Sequence, residues 1–341
     1  MKISEIVGES RKLPQIGQFA GKRIAIDAYN MLYQFLSSIR QEEGIPLMDQ
    51  SGRTTSHLSG FFYRTAFLLE NKIKPVYVFD GKPHELKTGT IKKRKEVREA
   101  AKNKAEDARD EGAAGEAKKF AQASSRIEPY MVPEIKEMLS HMGVPCVDAA
   151  SDGEAQAAFM VNKGDVSTIA SQDYDCFLYG AQSLLRNLTQ QTKRQIRGKV
   201  IHVEMESYIL DDVLAELKVT REQLVDIGIL TGTDFNGGIR GVGQKTALKM
   251  IQTHGSIDAI YESKPEYADM LPLDLVDQVR EIFLNPEITE DYAIEFGNVK
   301  TKEVIAFLCN EHQFSEDRIR ARLQKLSEKE KQFSLDSFIA K

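Results

Sequence analysis

Cysteine is scarce in this 341-residue chain: Cys146, Cys176 and Cys309 are odd in number and show no C-x-x-C spacing. Neither a disulfide framework nor a zinc site is therefore expected, and a reducing, intracellular compartment is implied. Long hydrophobic runs are missing too. No stretch of eighteen apolar residues occurs, and Met1-Lys2-Ile3-Ser4-Glu5 lacks the apolar core of a signal peptide, so a soluble protein without a membrane partner is expected. A complete P-loop is also absent. Gly238-Ile239-Arg240-Gly241-Val242-Gly243-Gln244-Lys245-Thr246 comes close, but Gln244 separates Gly243 from Lys245 and removes the G-K-[ST] contact that an ATPase needs.

What remains is a globular composition, 41% hydrophobic, enough to bury one large core or two smaller ones. Five short strings end or pivot on carboxylates: Ile24-Ala25-Ile26-Asp27, Tyr77-Val78-Phe79-Asp80, Ser151-Asp152-Gly153-Glu154, Gln172-Asp173-Tyr174-Asp175 and Gly232-Thr233-Asp234. The first two place Asp directly after a β-branched run, as an acid at the C-terminal edge of a buried parallel strand, where α/β sheets keep their sites. Singly, each string has a plainer reading: Asp80 before Gly81 suits a turn, and Ser151-x-x-Glu154 fits a capping box. Their recurrence after strand upon strand favours a shared cleft. Seven carboxylates in one cleft would repel one another without divalent cations, so Mg²⁺ or Mn²⁺ bound through oxygen is expected.

Net charge is −5, yet the basic residues are concentrated. Lys82, Lys87, Lys92, Lys93, Arg94, Lys95, Arg98, Lys102 and Lys104 crowd one stretch, and Lys193, Arg194, Arg197 and Lys199 a second, placed between two strands at 184–186 and 200–203. Local basic stretches in an acidic protein suit a phosphate backbone held beside a metal site.

Periodicity predicts strands at 22–27, 75–80, 144–148 and 166–170, with helices at 29–40, 54–70 and 131–142 and one opening at Asp152. Strands alternating with helices imply an α/β fold, a mostly parallel central sheet covered on both faces. Residues 88–126, charged and Ala-rich, read as two polar helices above the acids, with Lys87 and Arg94 on one face if helical. Tyr33 falls off the apolar stripe of its helix and shares a face with Arg40, so it can stack on a base. After Met205 the chain reads as mainly helical. Gly241-Val242-Gly243 reads there as a hairpin between helices, its free N–H groups and the following helix N-terminus binding phosphate without reading bases. Beyond Glu328 the chain reads as an irregular tail in which Leu335 and Phe338 align on one 3₁₀ turn as a docking knob.

Together the strings Ile-Ala-Ile-Asp27-Ala, Tyr-Val-Phe-Asp80-Gly-Lys-Pro, Gly153-Glu154-Ala-Gln-Ala, Ser-Gln-Asp173-Tyr-Asp175 and Gly-Thr-Asp234 resemble the flap endonuclease family of archaea and eukaryotes from about Gly21 onward. That resemblance implies a structure-specific 5′ nuclease, with exonuclease activity, that cuts 5′ flaps during Okazaki-fragment maturation and excision repair. It makes Asp27, Asp80, Asp152, Glu154, Asp173, Asp175 and Asp234 the ligands, direct or through water, of two Mg²⁺ ions that Mn²⁺ can replace. Lys87 and Arg94 become contacts to the scissile phosphate and Tyr33 a stacking aromatic. Arg40, Arg64, Gly232, Gly241, Gly243 and Lys245, with Asp152 and Asp234, fall on DNA-contacting positions. The implied division is 1–98 and 127–258 for the nuclease, 99–126 for a helical arch, about 225–256 for a helix-hairpin-helix, 259–328 for a helical region and 329–341 for the tail. In that tail Gln332, Leu335, Phe338 and Ile339 resemble a sliding-clamp (PCNA) binding box. Branched DNA, such as a double flap, and the clamp are the expected partners of a monomer, cytoplasmic and nucleoid-associated if archaeal.

Three departures stand out: Asp152 where the family usually has Glu, Met1-Lys2-Ile3 in place of Met-Gly, and Ile339 in place of a second aromatic. The expected chemistry is two-metal phosphodiester hydrolysis, the ions about 4 Å apart. A PIN-like ribonuclease and a non-catalytic, clamp-tethered DNA scaffold are the competing readings.

Overall fold

The computed structural model describes residues 6–41, 44–111, 113–188, 193–196 and 199–339, with side chains described there except at 109, 114, 193–202 and from 330 onward. Arg23–Asp27 (β1) buries Ile24, Ala25 and Ile26, and Asp27 caps the helix Ala28–Ser38 (α1) by accepting from the Asn30 amide at 2.9 Å. Then follow Ser56–Glu70 (α2) and Lys74–Phe79 (β2). A 3₁₀ turn at Glu85–Lys87 leads into Thr88–Asp110 (α3), and Ala114–Ala123 (α4) packs back along it. These two polar helices meet through a seam of alanines, Ala101, Ala105 and Ala108 against Ala117 and Ala121, spaced to share a helix face. Because α3 is continuous, the division at residues 98 and 99 falls inside it.

Met131–His141 (α5), Cys146–Asp148 (β3), Gly153–Lys163 (α6), Thr168–Ala170 (β4) and Ser183–Arg186 (β5) continue the alternation. Lys193–Ile196 (β6) and Lys199–His202 (β7) pair as an antiparallel hairpin. The second basic cluster therefore lies largely on strands, where the sequence reads as a polar connection. The expected strand at 200–203 is β7, while β6 is four mainly polar residues, too short to display a period.

Glu206–Ile209 (β8), unforeseen in the sequence, adds antiparallel to β5 with Tyr208 buried. Helices follow: Leu210–Leu217 (α7), Arg221–Thr231 (α8), Gln244–His254 (α9), Ile257–Ser263 (α10), Glu266–Met270 (α11), Leu273–Leu284 (α12), Thr301–Ile305 (α13) and Glu316–Ile339 (α14), with a π-turn at Ala306–Glu311. The backbone of α14 stays helical to Ile339, where the sequence reading expects an irregular tail; no Gly or Pro interrupts that stretch, so nothing local stops the helix. The side chains of Gln332, Leu335, Phe338 and Ile339 lie outside the described residues, as do Met1, Lys2, Ile3 and Arg197.

The sheet order is β3-β2-β1-β4-β5-β8, with every pair parallel except β5 and β8. Strand residues alternate between two cores. Ala25, Val76, Val78, Val147, Ile169 and Leu184 face one that includes α6, α8 and α12 residues. Ile24, Ile26, Tyr77, Phe79, Ala170 and Leu185 face the other, with α1, α2 and α5. The expected α/β architecture, a mostly parallel sheet covered on both faces, is the one observed. The chain leaves β1 for β2 and β3 on one side and returns to β4 on the other, so β1 and β4 flank the topological switch point, whose C-terminal edge forms a crevice. Among the described residues no helix is long and apolar enough to cross a membrane.

Candidate active site

The crevice at that edge is a cleft of about 480 Å³ lined by Asp27, Asp80, Asp152, Glu154, Asp173 and Asp234, with Tyr33, Lys87 and Arg94 on its walls. Asp27 ends β1, Asp80 follows β2, Asp152 and Glu154 open α6 after β3, and Asp173 follows β4. Each acid leaves its strand at the same sheet edge because parallel strands all point there. Asp175, buried beside Asp173 and not part of the cleft lining, completes the sequence-predicted seven.

Local backbone fixes several of these carboxylates. Asp80 Oδ1 accepts from the Gly153 amide at 2.8 Å, and a Cβ on Gly153 would come within 2.7 Å of that oxygen. Glycine at 153 is thus what allows α6 to start against Asp80. Asp173 Oδ1 accepts from the Asp175 amide at 3.0 Å. Asp152 is the N-cap of α6, yet its side chain makes no capping bond, so the capping box suggested by Ser151 and Glu154 is not formed. Its partners come from elsewhere: Lys87 Nζ donates to Oδ1 at 2.6 Å, and the Tyr179 hydroxyl donates to Oδ2. Across the cleft Arg94 Nη2 donates to Asp234 Oδ1 at 2.6 Å, and Thr90 Oγ1 donates to the Asp234 carbonyl at 2.8 Å.

The acids perturb one another. Burial, then Asp80, lifts Asp27 to about 7. Burial and Asp173 lift Asp175 to about 6. Glu154 is pushed well above the usual carboxylate range by burial, then by Asp173, Asp27 and Asp175. Asp80 is raised mainly by burial. Burial pushes the Lys87 ammonium down, but Asp152, Glu154 and Asp234 outweigh it and hold it above its ordinary value. Burial, then Asp152, pushes the Tyr179 phenol up.

Among the described residues no three His, Cys, Asp or Glu side chains, as oriented here, stand close enough to hold a metal ion. Asp152 and Asp234 are turned instead toward Lys87 and Arg94. The donor set nevertheless suits a hard divalent cation, being oxygen throughout and gathered at one cleft with Asp27, Asp152 and Asp175 buried, with mutual repulsion that only protons or cations relieve.

Tyr33 sits on the cleft wall with the Arg98 guanidinium 4.5 Å from its ring centroid. Arg40 is not brought to the cleft. Its guanidinium donates to the Leu36 and Gly44 carbonyls at 2.8 and 2.7 Å and to Ser125 Oγ at 2.9 Å, tying the end of α1 to the segment after α4. Arg64 lies in a separate groove of about 300 Å³ between α1 and α2 with Tyr63 and Phe67. Between α8 and α9, Gly232 adopts φ +96° and packs on Gly237 and Gly238. Ile239 and Val242 point into the core while Gly241, Gly243 and Lys245 are exposed, which leaves the N-terminal amides of α9 facing solvent.

Sequence reasoning missed Tyr179, Phe235 and Phe283. Phe235 stacks edge-on with Phe283 at 5.3 Å, Phe283 packs on Tyr179 at 4.8 Å, and Lys87 Nζ lies 5.0 Å over the Phe235 ring. Nothing in their spacing marks them, because apolar residues beside a site read as core.

Two family models match the chain, the XPG N-terminal domain at residues 2–101 and the XPG I-region at 143–234. Flap endonuclease 1 of Pyrococcus furiosus is 46% identical over 98% of this chain and 98% of its own length. That of Archaeoglobus fulgidus is 47% identical over 93% of each chain. Among solved structures, a flap endonuclease-1 from Methanococcus jannaschii superposes with a TM-score of 0.75 at 36% identity, covering 96% of this chain and 98% of that one. The catalytic core of Rad2, solved with a DNA substrate, shares the fold with a TM-score of 0.73 at 22% identity, covering 94% of this chain and 98% of that one.

Proposed function

The chain belongs to the flap endonuclease family, and from that membership we propose that its acidic cleft hydrolyses DNA phosphodiesters at single-strand/duplex junctions using two Mg²⁺ ions. The protein is a structure-specific flap endonuclease, a metal-dependent DNA nuclease, which sets aside the ribonuclease and scaffold readings. The observation that carries the mechanism is six carboxylates at the β1/β4 switch point facing Lys87 and Arg94 across one cleft.

Asp27, Asp80, Asp152, Glu154, Asp173, Asp175 and Asp234 would hold the ions, directly or through water. Bound there, they supply the Lewis acidity that activates water for in-line attack and stabilises the leaving 3′ oxygen. Lys87 and Arg94 exchange their carboxylate partners for the scissile phosphate and neutralise charge developing on its oxygens. Tyr33, braced by Arg98, stacks on a base next to that phosphate. Gly241, Gly243, Lys245 and the start of α9 grip duplex backbone, and Gly232 shapes the turn leading to them. Arg64 offers charge to the backbone from its groove, and Arg40, held at the end of α1 by Leu36, Gly44 and Ser125, adds its charge to the same backbone. Specificity comes from junction shape, because the contacts are to backbone.

The wider role is Okazaki-fragment maturation and excision repair by a monomer that docks on a sliding clamp through Gln332, Leu335, Phe338 and Ile339. Cleavage-site mapping on a labelled double-flap substrate, with Mg²⁺ and with EDTA, tests the reading. A single cut at the junction that requires Mg²⁺ is expected, and cutting unrelated to the junction would overturn it.

A further inference from the structure

We propose that Tyr179 is a positioning residue for Asp152: its hydroxyl anchors one oxygen of this short carboxylate so that the other is presented to the cleft. The inference rests on the reading of Asp152 as a metal ligand and deepens it.

Asp27, Asp80 and Asp173 each accept from a backbone amide close at hand. Asp152 does not, although it stands at the N-cap of α6. Its orientation depends on two side chains that reach it from opposite sides. Lys87 approaches Oδ1 from the cleft. Tyr179 approaches Oδ2 from a smaller cavity of about 210 Å³ behind, which Asp152 also lines. The two donors differ in permanence. Lys87 belongs to the turn leading into α3 and is assigned to the scissile phosphate, so it departs when substrate binds. Tyr179 cannot depart. Its ring is buried, packed 4.8 Å from Phe283, and the adjoining backbone is pinned by Arg221, which donates to the Leu178 carbonyl at 3.1 Å and to the Phe283 carbonyl at 2.7 Å.

With Lys87 engaged on DNA, or displaced from Asp152 by an incoming cation, the phenol is the remaining donor to Asp152. Without it, the carboxylate is free to rotate into the cavity behind, away from the other acids. A glutamate, one methylene longer, would extend further into the cleft without such an anchor, which links this hydroxyl to the aspartate that departs from the family's usual residue.

Tyr179→Phe deletes only the hydroxyl and keeps the packing on Phe283. Mn²⁺ binding to the DNA-free protein by titration calorimetry is the first readout, and the Mg²⁺ concentration giving half-maximal single-turnover cleavage is the second. Removing an outer partner of a metal ligand costs roughly 10- to 100-fold in metal affinity, so both should shift in that range, while double-flap affinity in EDTA stays at the parental value. The pair Asp152→Glu with Tyr179→Phe should recover most of the lost Mn²⁺ affinity. Asp152→Asn separates the two readings. If Asp152→Asn weakens Mn²⁺ binding and Tyr179→Phe does not, or if the pair fails to recover, the positioning role is wrong. If Asp152→Asn itself binds Mn²⁺ as the parent does, the ligand assignment falls and the positioning role with it.

Discussion

The Arg94 guanidinium lies 2.6 Å from the Asp234 carboxylate, 140 residues further along the chain, and so ties α3 to the segment between α8 and α9. Both side chains are substantially exposed, 55% and 34%, so the pair contributes little to stability and is screened by salt. The Lys87–Asp152 pair is more enclosed, at 16% and 9%, and its members are less screened. Each basic group is thus held by an acid, as the proposed exchange for a phosphate requires, and the weaker of the two links is the one on α3.

Asp80→Ala and Asp234→Ala should each abolish cleavage in Mg²⁺ while leaving junction binding largely intact, since the proposed grip lies in the turn before α9 and in the basic stretches. Asp234→Ala also frees Arg94, so its DNA affinity should equal or exceed the parent's. Single-turnover rates and fluorescence anisotropy check both, and near-parental turnover in either variant would remove that residue from the metal site.

Lys87→Ala and Arg94→Ala should slow the chemical step by roughly 10²–10³ each, the scale of losing one donor to a developing oxyanion, with far smaller changes in affinity. Rapid-quench measurements on preformed complexes separate the two. Weakened binding with an unchanged bound-state rate would reduce the pair to a phosphate-attracting patch.

Glu216 provides a pH test away from the cleft. Its carboxylate accepts from the Gly8 and Glu9 amides at 2.7 and 3.1 Å and from the Ser10 amide and hydroxyl at 2.8 and 2.6 Å. Slight burial pulls it up, but these hydrogen bonds win and hold it at about 2, against 4.5 unperturbed. A carboxyl depressed in the folded state stabilises above its unfolded value and loses that stabilisation as pH falls. Amide protection at 8–10, corrected for intrinsic exchange, should therefore be constant from pH 7 to about 4.5 and decline below it. Glu216→Gln should remove the protection at pH 7, and protection indifferent to both pH and the substitution would refute the latch.

Leu335→Ala with Phe338→Ala should eliminate stimulation by a sliding clamp and leave the free enzyme's rate and melting temperature unchanged. Burial of each side chain in a partner pocket is worth roughly 1.5–3 kcal/mol before ordering costs. Ile339 in place of an aromatic should make the contact weaker than is usual in the family. Calorimetry showing parental clamp affinity for the double variant would move the docking surface elsewhere.

The sequence by itself determined most of the strands, most of the helices and the acids at their ends, because β-branched runs and 3.6-residue stripes report burial directly, and Asp at a strand's end needs no long-range partner to be recognised. It did not disclose β8, nor β6 and its pairing with the expected strand at 200–203, where four polar or mixed residues are too few to show a period. Nor did it disclose which strands flank the cleft, since β4 adding to the far side of β1 is a pairing choice between distant segments. Only the tertiary structure set Lys87 against Asp152 and Arg94 against Asp234, joined Arg40 to the Ser125 hydroxyl, and brought Tyr179 behind Asp152. Those contacts join residues from 65 to 140 positions apart for the ion pairs and 27 for the tyrosine, and hydrophobic packing of the sheet against its helices, which carries no memory of sequence distance, is what brings them together.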